Sequence, residues 1–84
     1  MLHSKYVIID NGYVDVPVIF GPLLQHADVA RALNGTVLSA GFVRIDQDGK
    51  VEAYGDSFSL KIGSREEDTA IIQKMLTYGT YPTS

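Results

Sequence analysis

The stretch TVLSAGFVRIDQDGKVEAYGDSFSLKI, from Thr36 to Ile62, decides the fold because it reads as two strands joined by a turn. Thr36–Asp46 and Lys50–Ile62 are rich in β-branched and aromatic residues, and Asp48-Gly49 is a turn dipeptide. A two-residue turn would pair Gln47 with Lys50. We also expect a bulge at Gly55-Asp56, because the resulting shift in register places the large apolar residues on one face: Leu38, Ala40, Phe42, Phe58, Leu60 and Ile62.

A second hairpin is predicted before this stretch. Lys5–Asp10 and Tyr13–Phe20 read as strands, and Asn11-Gly12 between them is typical of a two-residue hairpin turn. Pro17 cannot donate a hydrogen bond to a neighbouring strand, so the sequence places Tyr13–Phe20 at a sheet edge or a bulge.

Two helices complete the pattern. Pro22 suits a first helical turn, and Asn34-Gly35 is a typical helix end. Ser64 and Glu67 have the spacing of a capping box, which predicts a second helix that ends at Gly79.

The chain is therefore predicted to be a single α+β domain over residues 1–79, followed by a loose tail over residues 80–84. The expected order is β-β-α-β-β-α, in two layers: a mainly antiparallel sheet with both helices on one face.

Composition limits the classes of function. The 84 residues contain no cysteine, so the sequence predicts neither disulfides nor a thiolate metal site. The net charge is −3 and the seven basic residues are scattered, which makes nucleic-acid binding an unfavoured alternative. Without an apolar stretch for a signal peptide or a membrane span, we expect a cytoplasmic protein with no membrane contact.

Metal and cofactor sites are not predicted. His26 and Asp28 have a poor spacing for shared ligation, and the histidine is expected to lie on the surface near a helix start. Asp46–Gly49 resembles part of a calcium loop, but aligning Gly49 with the invariant glycine places Arg44 at the first ligand position. We assign no cofactor to the chain.

Catalytic residues are not predicted either. Gly55-Asp56-Ser57 lacks the second glycine and the following helix of a nucleophile elbow. A small hydrolase built around Ser57 or His26 is kept only as a remote alternative.

The candidate interaction surface combines small polar residues with two arginines. Gly41 inside a strand, near several serines, would leave room for another backbone or a ligand, whereas the simpler interpretation is a solvated or helix-covered sheet. Interface arginines often anchor partners. The candidate residues are Ser39, Gly41, Arg44, Ser57, Ser59 and Arg65.

Three blocks, Ser39–Val43, Gly55–Leu60 and Ser64–Asp68, together resemble small phage or prophage accessory proteins. The resemblance covers the second half of the chain and includes no functional signature. It implies a protein that acts by binding a host or viral protein.

The first hypothesis is thus a non-enzymatic interaction module that forms a homodimer, because pairing an exposed sheet face or edge would enlarge a small core. The alternative is a nucleic-acid-binding regulator that uses Arg31, Arg44 and Lys61 on one face.

Overall fold

The computed structural model describes residues 2–78, which form a four-stranded antiparallel sheet, a two-stranded hairpin and two helices. The predicted α+β class is confirmed, and the order of elements broadly follows the prediction. The expected helix end at Gly79 and the tail over residues 80–84 lie outside the described residues. In chain order the elements are β1 (Leu2–Asp10), β2 (Asp15–Phe20), α1 (His26–Leu33), β3 (Thr36–Ile45), β4 (Val51–Tyr54), β5 (Asp56–Ser57), β6 (Ile62–Gly63) and α2 (Glu66–Tyr78).

The two helices lie on opposite faces of the sheet, which corrects the predicted two-layer arrangement. The strand order is β2-β1-β3-β4, and α1 connects β2 to β3 across β1. Side chains of β1 alternate between the faces. Tyr6 and Ile8 pack in one buried cluster with Ile72 of α2, whereas Val7 packs in another against Val29 of α1. Because β1 is apolar on both sides, both faces require a cover.

The first hairpin has a four-residue loop instead of the predicted two-residue turn, since Asp10 pairs with Asp15. The Asn11 side chain explains the difference: its Oδ1 atom accepts hydrogen bonds from the backbone N–H groups of Tyr13 and Val14, each at 2.9 Å. The prediction of an edge strand from Pro17 is confirmed, because β2 is the outermost strand of the sheet.

The second hairpin is also closed by a side chain. Asp46 Oδ1 accepts from the N–H groups of Asp48 and Lys50, at 2.9 and 2.8 Å, and Asp46 N–H donates to the Lys50 carbonyl. Gly49 has a φ of 82°, as a three-residue loop that ends in a left-handed residue requires. The predicted register is therefore wrong by one residue.

The long strand predicted over Lys50–Ile62 ends early, at Tyr54. Gly55, with a φ of 77°, turns the chain out of the sheet into the short β5–β6 hairpin. Leu60 and Ile62 pack on the α1 face with Ala40, as expected. Two others depart from the prediction: Leu38 packs with the cluster under α2, and Phe58 is 98% exposed.

Both helices begin later than predicted. Helix α1 begins at His26, and Pro22 belongs to the preceding turn, in which Leu24 N–H donates to the Gly21 carbonyl. The left-handed residue at its end is Asn34, with a φ of 54°. Helix α2 begins at Glu66, so the predicted capping box of Ser64 and Glu67 is displaced by one residue.

Gly41 provides a test of how tightly β3 and β4 approach each other. A Cβ atom at Gly41 would lie 2.6 Å from the backbone oxygen of Tyr54, whereas a Cβ at Gly21 would meet nothing within 4 Å. We therefore expect Gly41→Ala to lower the free energy of unfolding by about 1–3 kcal/mol in urea denaturation, as overpacking does.

Gly21→Ala is the matched control and should change the free energy of unfolding by less than about 0.5 kcal/mol, as surface substitutions do. Equal effects of the two substitutions would contradict the close approach at Gly41.

Candidate functional site

The structure does not bring the six predicted interaction residues together on one surface. Ser39 and Gly41 are buried in β3, and Arg65 precedes α2. Arg44 forms an ion pair with Glu52, and its guanidinium carbon lies 5.5 Å from the centre of the Tyr54 ring. The remaining two, Ser57 and Ser59, lie in the β5–β6 hairpin.

The space that Gly41 leaves open is filled by this chain itself. The backbone oxygens of Tyr54 and Gly55 lie 2.6 and 3.2 Å from where a Cβ of Gly41 would be. Ser39 is fully buried beside Ile8, and its hydroxyl finds no hydrogen-bond partner among residues 2–78. This part of the sheet is interior and offers no exposed polar surface.

Arg65 belongs to a buried polar network that links the central strand to α2. The Tyr6 hydroxyl donates to Asp68 Oδ2 at 2.6 Å, and both side chains are fully buried. Arg65 Nε donates to Asp68 Oδ1 at 3.0 Å, and the Arg65 backbone N–H donates to Oδ2 at 2.9 Å. Asp68 thus caps the helix, pairs with Arg65 and fixes Tyr6 at once. We interpret the network as structural because Tyr6 and Asp68, at its centre, are fully buried.

Burial raises the pKa of the Tyr6 hydroxyl well above its ordinary value, and the hydrogen bond to Asp68 and the charge of Asp68 raise it further. Ionising Tyr6 would place a second negative charge, without solvent, against the carboxylate. Nothing in the sequence pointed to a bond between Asp68 and a tyrosine 62 positions earlier.

His26 is a buried structural residue, not the surface residue that we expected. Its Nε2 atom lies 2.7 Å from the Gly41 carbonyl oxygen, so this nitrogen is the donor. The ring makes edge-on contacts with Phe20 and Phe42, with centroids 5.5 and 5.7 Å away. The histidine holds the start of α1 against β2 and β3.

The remote hydrolase alternative receives no support from the geometry of Ser57 and His26. Ser57 Oγ accepts from the Leu60 N–H at 3.2 Å and lies 3.4 Å from Ser59 Oγ. His26 Nε2 is committed to the Gly41 carbonyl. A nucleophile would need its base within hydrogen-bonding distance, and these two side chains have other partners.

The β5–β6 hairpin is closed by hydrogen bonds at its loop and at its open end. Lys61 N–H donates to the Ser57 carbonyl at 2.8 Å, and Ser64 N–H donates to the Gly55 carbonyl at 2.9 Å. Ser59 Oγ accepts from the Ala27 N–H at 3.1 Å and so joins the loop to the first turn of α1. This loop carries the exposed Phe58.

Exposed apolar side chains lie on both segments that meet at the start of α1. Phe58 is 98% exposed and Leu23, in the turn before the helix, is 95% exposed. Leu24 is about half exposed. Because the Ser59–Ala27 hydrogen bond places the loop beside the start of the helix, we treat Leu23, Leu24 and Phe58 as one surface, the Phe58 patch. This surface was not expected from the sequence, which predicted Phe58 on the apolar face of the sheet.

Lys61 has an unusual backbone conformation in the same loop. Its φ is 57°, in the left-handed region that a side chain with a Cβ atom disfavours. Glycine would adopt this conformation without that cost. Lys61, Phe58 and Asp56 line an open groove of about 400 Å³ beside the patch.

Both edges of the four-stranded sheet resist pairing with another strand. On β4, the N–H groups of Val51 and Ala53 donate to Gln73 Oε1 and Thr69 Oγ1 of α2, at 3.2 and 3.0 Å. On β2, Pro17 has no N–H to offer. Blocking free edge groups in this way is a common defence against edge-to-edge aggregation.

Residues 2–78 contain no group of three or more acidic or histidine side chains positioned to hold a metal ion. In the same part of the chain, neither helix is long and apolar enough to cross a membrane.

Substitutions at Ser39 and Ser57 test these hydrogen bonds. Both side chains are buried, but only the Ser57 hydroxyl has a hydrogen-bond partner. Ser39→Ala removes an unpaired hydroxyl and should raise the free energy of unfolding by about 1 kcal/mol. Ser57→Ala removes the acceptor of the Leu60 N–H and should lower it by about 1 kcal/mol. Urea denaturation of both variants measures the two changes, and changes of the same sign would contradict the assignment.

The raised pKa of Tyr6 predicts that the protein loses stability at alkaline pH. The unfolded chain loses the Tyr6 proton near pH 10, whereas the folded protein keeps it because the folded pKa is raised. Below about pH 10, Tyr6 therefore makes its full contribution to the free energy of unfolding. Above about pH 10, the free energy of unfolding falls by about 1.4 kcal/mol per pH unit. Urea denaturation between pH 9 and pH 11.5 measures this slope.

Tyr6→Phe should remove that part of the alkaline slope, and at pH 7 it should destabilise the fold by about 1–3 kcal/mol by depriving Asp68 of a donor. Tyr13→Phe, at an exposed tyrosine, is the control and should keep the wild-type slope. An unchanged slope in Tyr6→Phe would contradict the raised pKa.

Comparison with known proteins adds no identification to this geometry. The chain matches no protein-family model, no curated protein and no solved structure.

Proposed function

We propose that this protein is a non-enzymatic protein-interaction module that binds its partner through the Phe58 patch. The observation that supports the proposal is the 98% exposure of Phe58 on a hydrogen-bonded loop that is joined to α1. Burying a phenylalanine side chain is worth about 1.5–3 kcal/mol, and here that free energy is not used in the fold.

The loop favours binding for a second reason. Ordering a flexible side chain or loop costs free energy on association, and a surface that is already held in place avoids part of this cost. The bonds from Lys61 and Ser64 to the Ser57 and Gly55 carbonyls, together with the Ser59–Ala27 contact, hold the backbone around Phe58. Aromatic residues presented in this way are frequent hot spots of protein interfaces.

A partner would bind through side chains instead of adding a strand. The N–H groups of Val51 and Ala53 are taken by α2, and Pro17 interrupts the other edge. The homodimer expected from the sequence stays a prediction, and these edges disfavour a continuous sheet across its interface.

The nucleic-acid alternative is less well supported. Of the three basic residues expected on one face, Arg31 pairs with Asp28 at 3.4 Å and Arg44 pairs with Glu52. Arginines that are already paired with carboxylates are less available to phosphates. Lys61 remains, and one lysine gives little affinity for a nucleic acid.

The resemblance to phage accessory proteins agrees with a binding role but names no partner. A host or viral protein as the partner and a cytoplasmic location both stay predictions.

The test of the proposed function compares two exposed aromatic residues. Immobilised wild-type protein, Phe58→Ser and Tyr13→Ser are exposed to lysate of the source cell, and retained proteins are identified by mass spectrometry. Each retained protein is then purified, and its Kd for the three variants is measured by calorimetry. Tyr13 is the matched control because it is 94% exposed in a different hydrogen-bonded turn.

We expect one retained protein to bind wild type and Tyr13→Ser equally and to bind Phe58→Ser at least tenfold more weakly, as loss of a hot spot implies. A partner that binds Phe58→Ser as tightly as wild type would contradict the proposed site.

A further inference from the structure

We propose that the partner presents a peptide segment in which an apolar side chain is flanked by a carboxylate, the apolar group covering the Phe58 patch and the carboxylate pairing with Lys61. This inference rests on the proposed function and adds the chemistry of the partner. Two observations support it: the charges around the patch and the left-handed backbone conformation of Lys61.

The charges beside the patch favour an acidic partner. Lys61 is exposed, three residues after Phe58 in the same loop, and no carboxylate of residues 2–78 lies within ion-pair distance of its ammonium group. On the other side of the patch, Lys5 Nζ donates to the Leu24 carbonyl at 2.8 Å and has no ion pair within the same residues.

Asp56 lies in the groove with Lys61 and Asp28 lies in the first turn of α1, but neither carboxylate forms an ion pair with Lys5 or Lys61. Asp28 pairs with Arg31 at 3.4 Å. Asp56 lines the same groove as Lys61, and its side chain packs against the backbone of Gly63. A carboxylate of the partner could approach Lys61 from the open side of the groove.

A second copy of this chain is a poorer occupant of the patch. A two-fold interface brings the same surface of each copy together. Both copies would then contribute Lys5 and Lys61 to the same interface, and like charges across an interface oppose association. The patch is therefore matched to a partner of opposite charge.

The backbone of Lys61 indicates that its side chain is used. A glycine would fit the left-handed conformation better, yet the chain has a lysine there. Strained residues of this kind cluster at functional sites, where the side chain has a role that offsets the strain. We therefore expect Lys61→Gly to make the fold more stable and the binding weaker, which a purely structural role would not do.

The experiment selects peptides from a display library of random 16-residue sequences on the immobilised wild-type protein. Selected sequences are synthesised, and their Kd is measured by fluorescence polarisation against wild type, Phe58→Ser, Lys61→Glu and Lys61→Gly. Each peptide is also made with its acidic residues replaced by lysine. Tyr13→Ser serves as the matched control for folding and for exposed-aromatic effects.

The proposal expects selected peptides to be enriched in Asp or Glu beside an aromatic or aliphatic residue. Lys61→Glu should weaken binding at least tenfold, and the lysine-substituted peptide should regain affinity for Lys61→Glu relative to wild type. Lys61→Gly should weaken binding while its urea midpoint rises. Together these results would support pairing with a carboxylate.

Other outcomes would overturn the proposal at different levels. One outcome is that the peptides require Phe58, show no enrichment in acidic residues, and bind Lys61→Glu as tightly as wild type. That outcome would overturn the proposed partner chemistry but not the proposed function. Peptides that bind Phe58→Ser as tightly as wild type would overturn the proposed function itself.

Two further occupants are tested directly. The first is a membrane surface, tested with vesicles of equal parts phosphatidylcholine and phosphatidylserine. It would be identified as the occupant if the protein bound these vesicles more tightly than the selected peptides and this binding required Phe58. A dimer in sedimentation at high micromolar concentration that Phe58→Ser abolishes would identify a second copy. Either result would overturn the assignment of the patch to a peptide segment.

Discussion

The fold depends on one constraint: β1 has apolar side chains on both of its faces, and each face must be covered. Tyr6 and Ile8 face α2, whereas Val7 and Ile9 face α1 and the β5–β6 hairpin. A chain of 84 residues with no disulfide must bury this strand with few elements. The crossover helix, the hairpin and the final helix are all used for that purpose, and the Tyr6–Asp68 hydrogen bond joins the last of them to the strand.

The same constraint explains where the exposed patch lies. The β5–β6 hairpin contributes Leu60 and Ile62 to the cover over β1, and its loop must turn between them and Ser57. Phe58 is at the outer side of that turn and is 98% exposed. Its exposure thus follows from how the hairpin is anchored, and the hydrogen bonds of the loop keep it there.

Much of the fold could be predicted from the sequence because its signals are local. The strand runs, the edge position of Pro17 and the order of elements follow from alternation and turn residues. What failed was set by side-chain bonds and backbone angles that the turn dipeptides do not reveal. Asn11 and Asp46 widened both turns by accepting from backbone amides two to four residues later, and Gly55 ended β4. The placement of the helices on opposite faces had a signal, the unbroken apolar run of β1, which is typical of a strand buried on both sides. The Phe58 patch had none, because an aromatic residue in a strand-like run is normally assigned to the core.

The most direct test of this account is amide hydrogen exchange by NMR on the loop that carries Phe58. We expect the amides of Lys61 and Ser64, which donate to the Ser57 and Gly55 carbonyls, to exchange at least tenfold more slowly than the same amides would in an unstructured peptide. Exchange of the Lys61 and Ser64 amides at the rate of an unstructured peptide would show that the loop does not hold Phe58 in place, and that result would contradict the account.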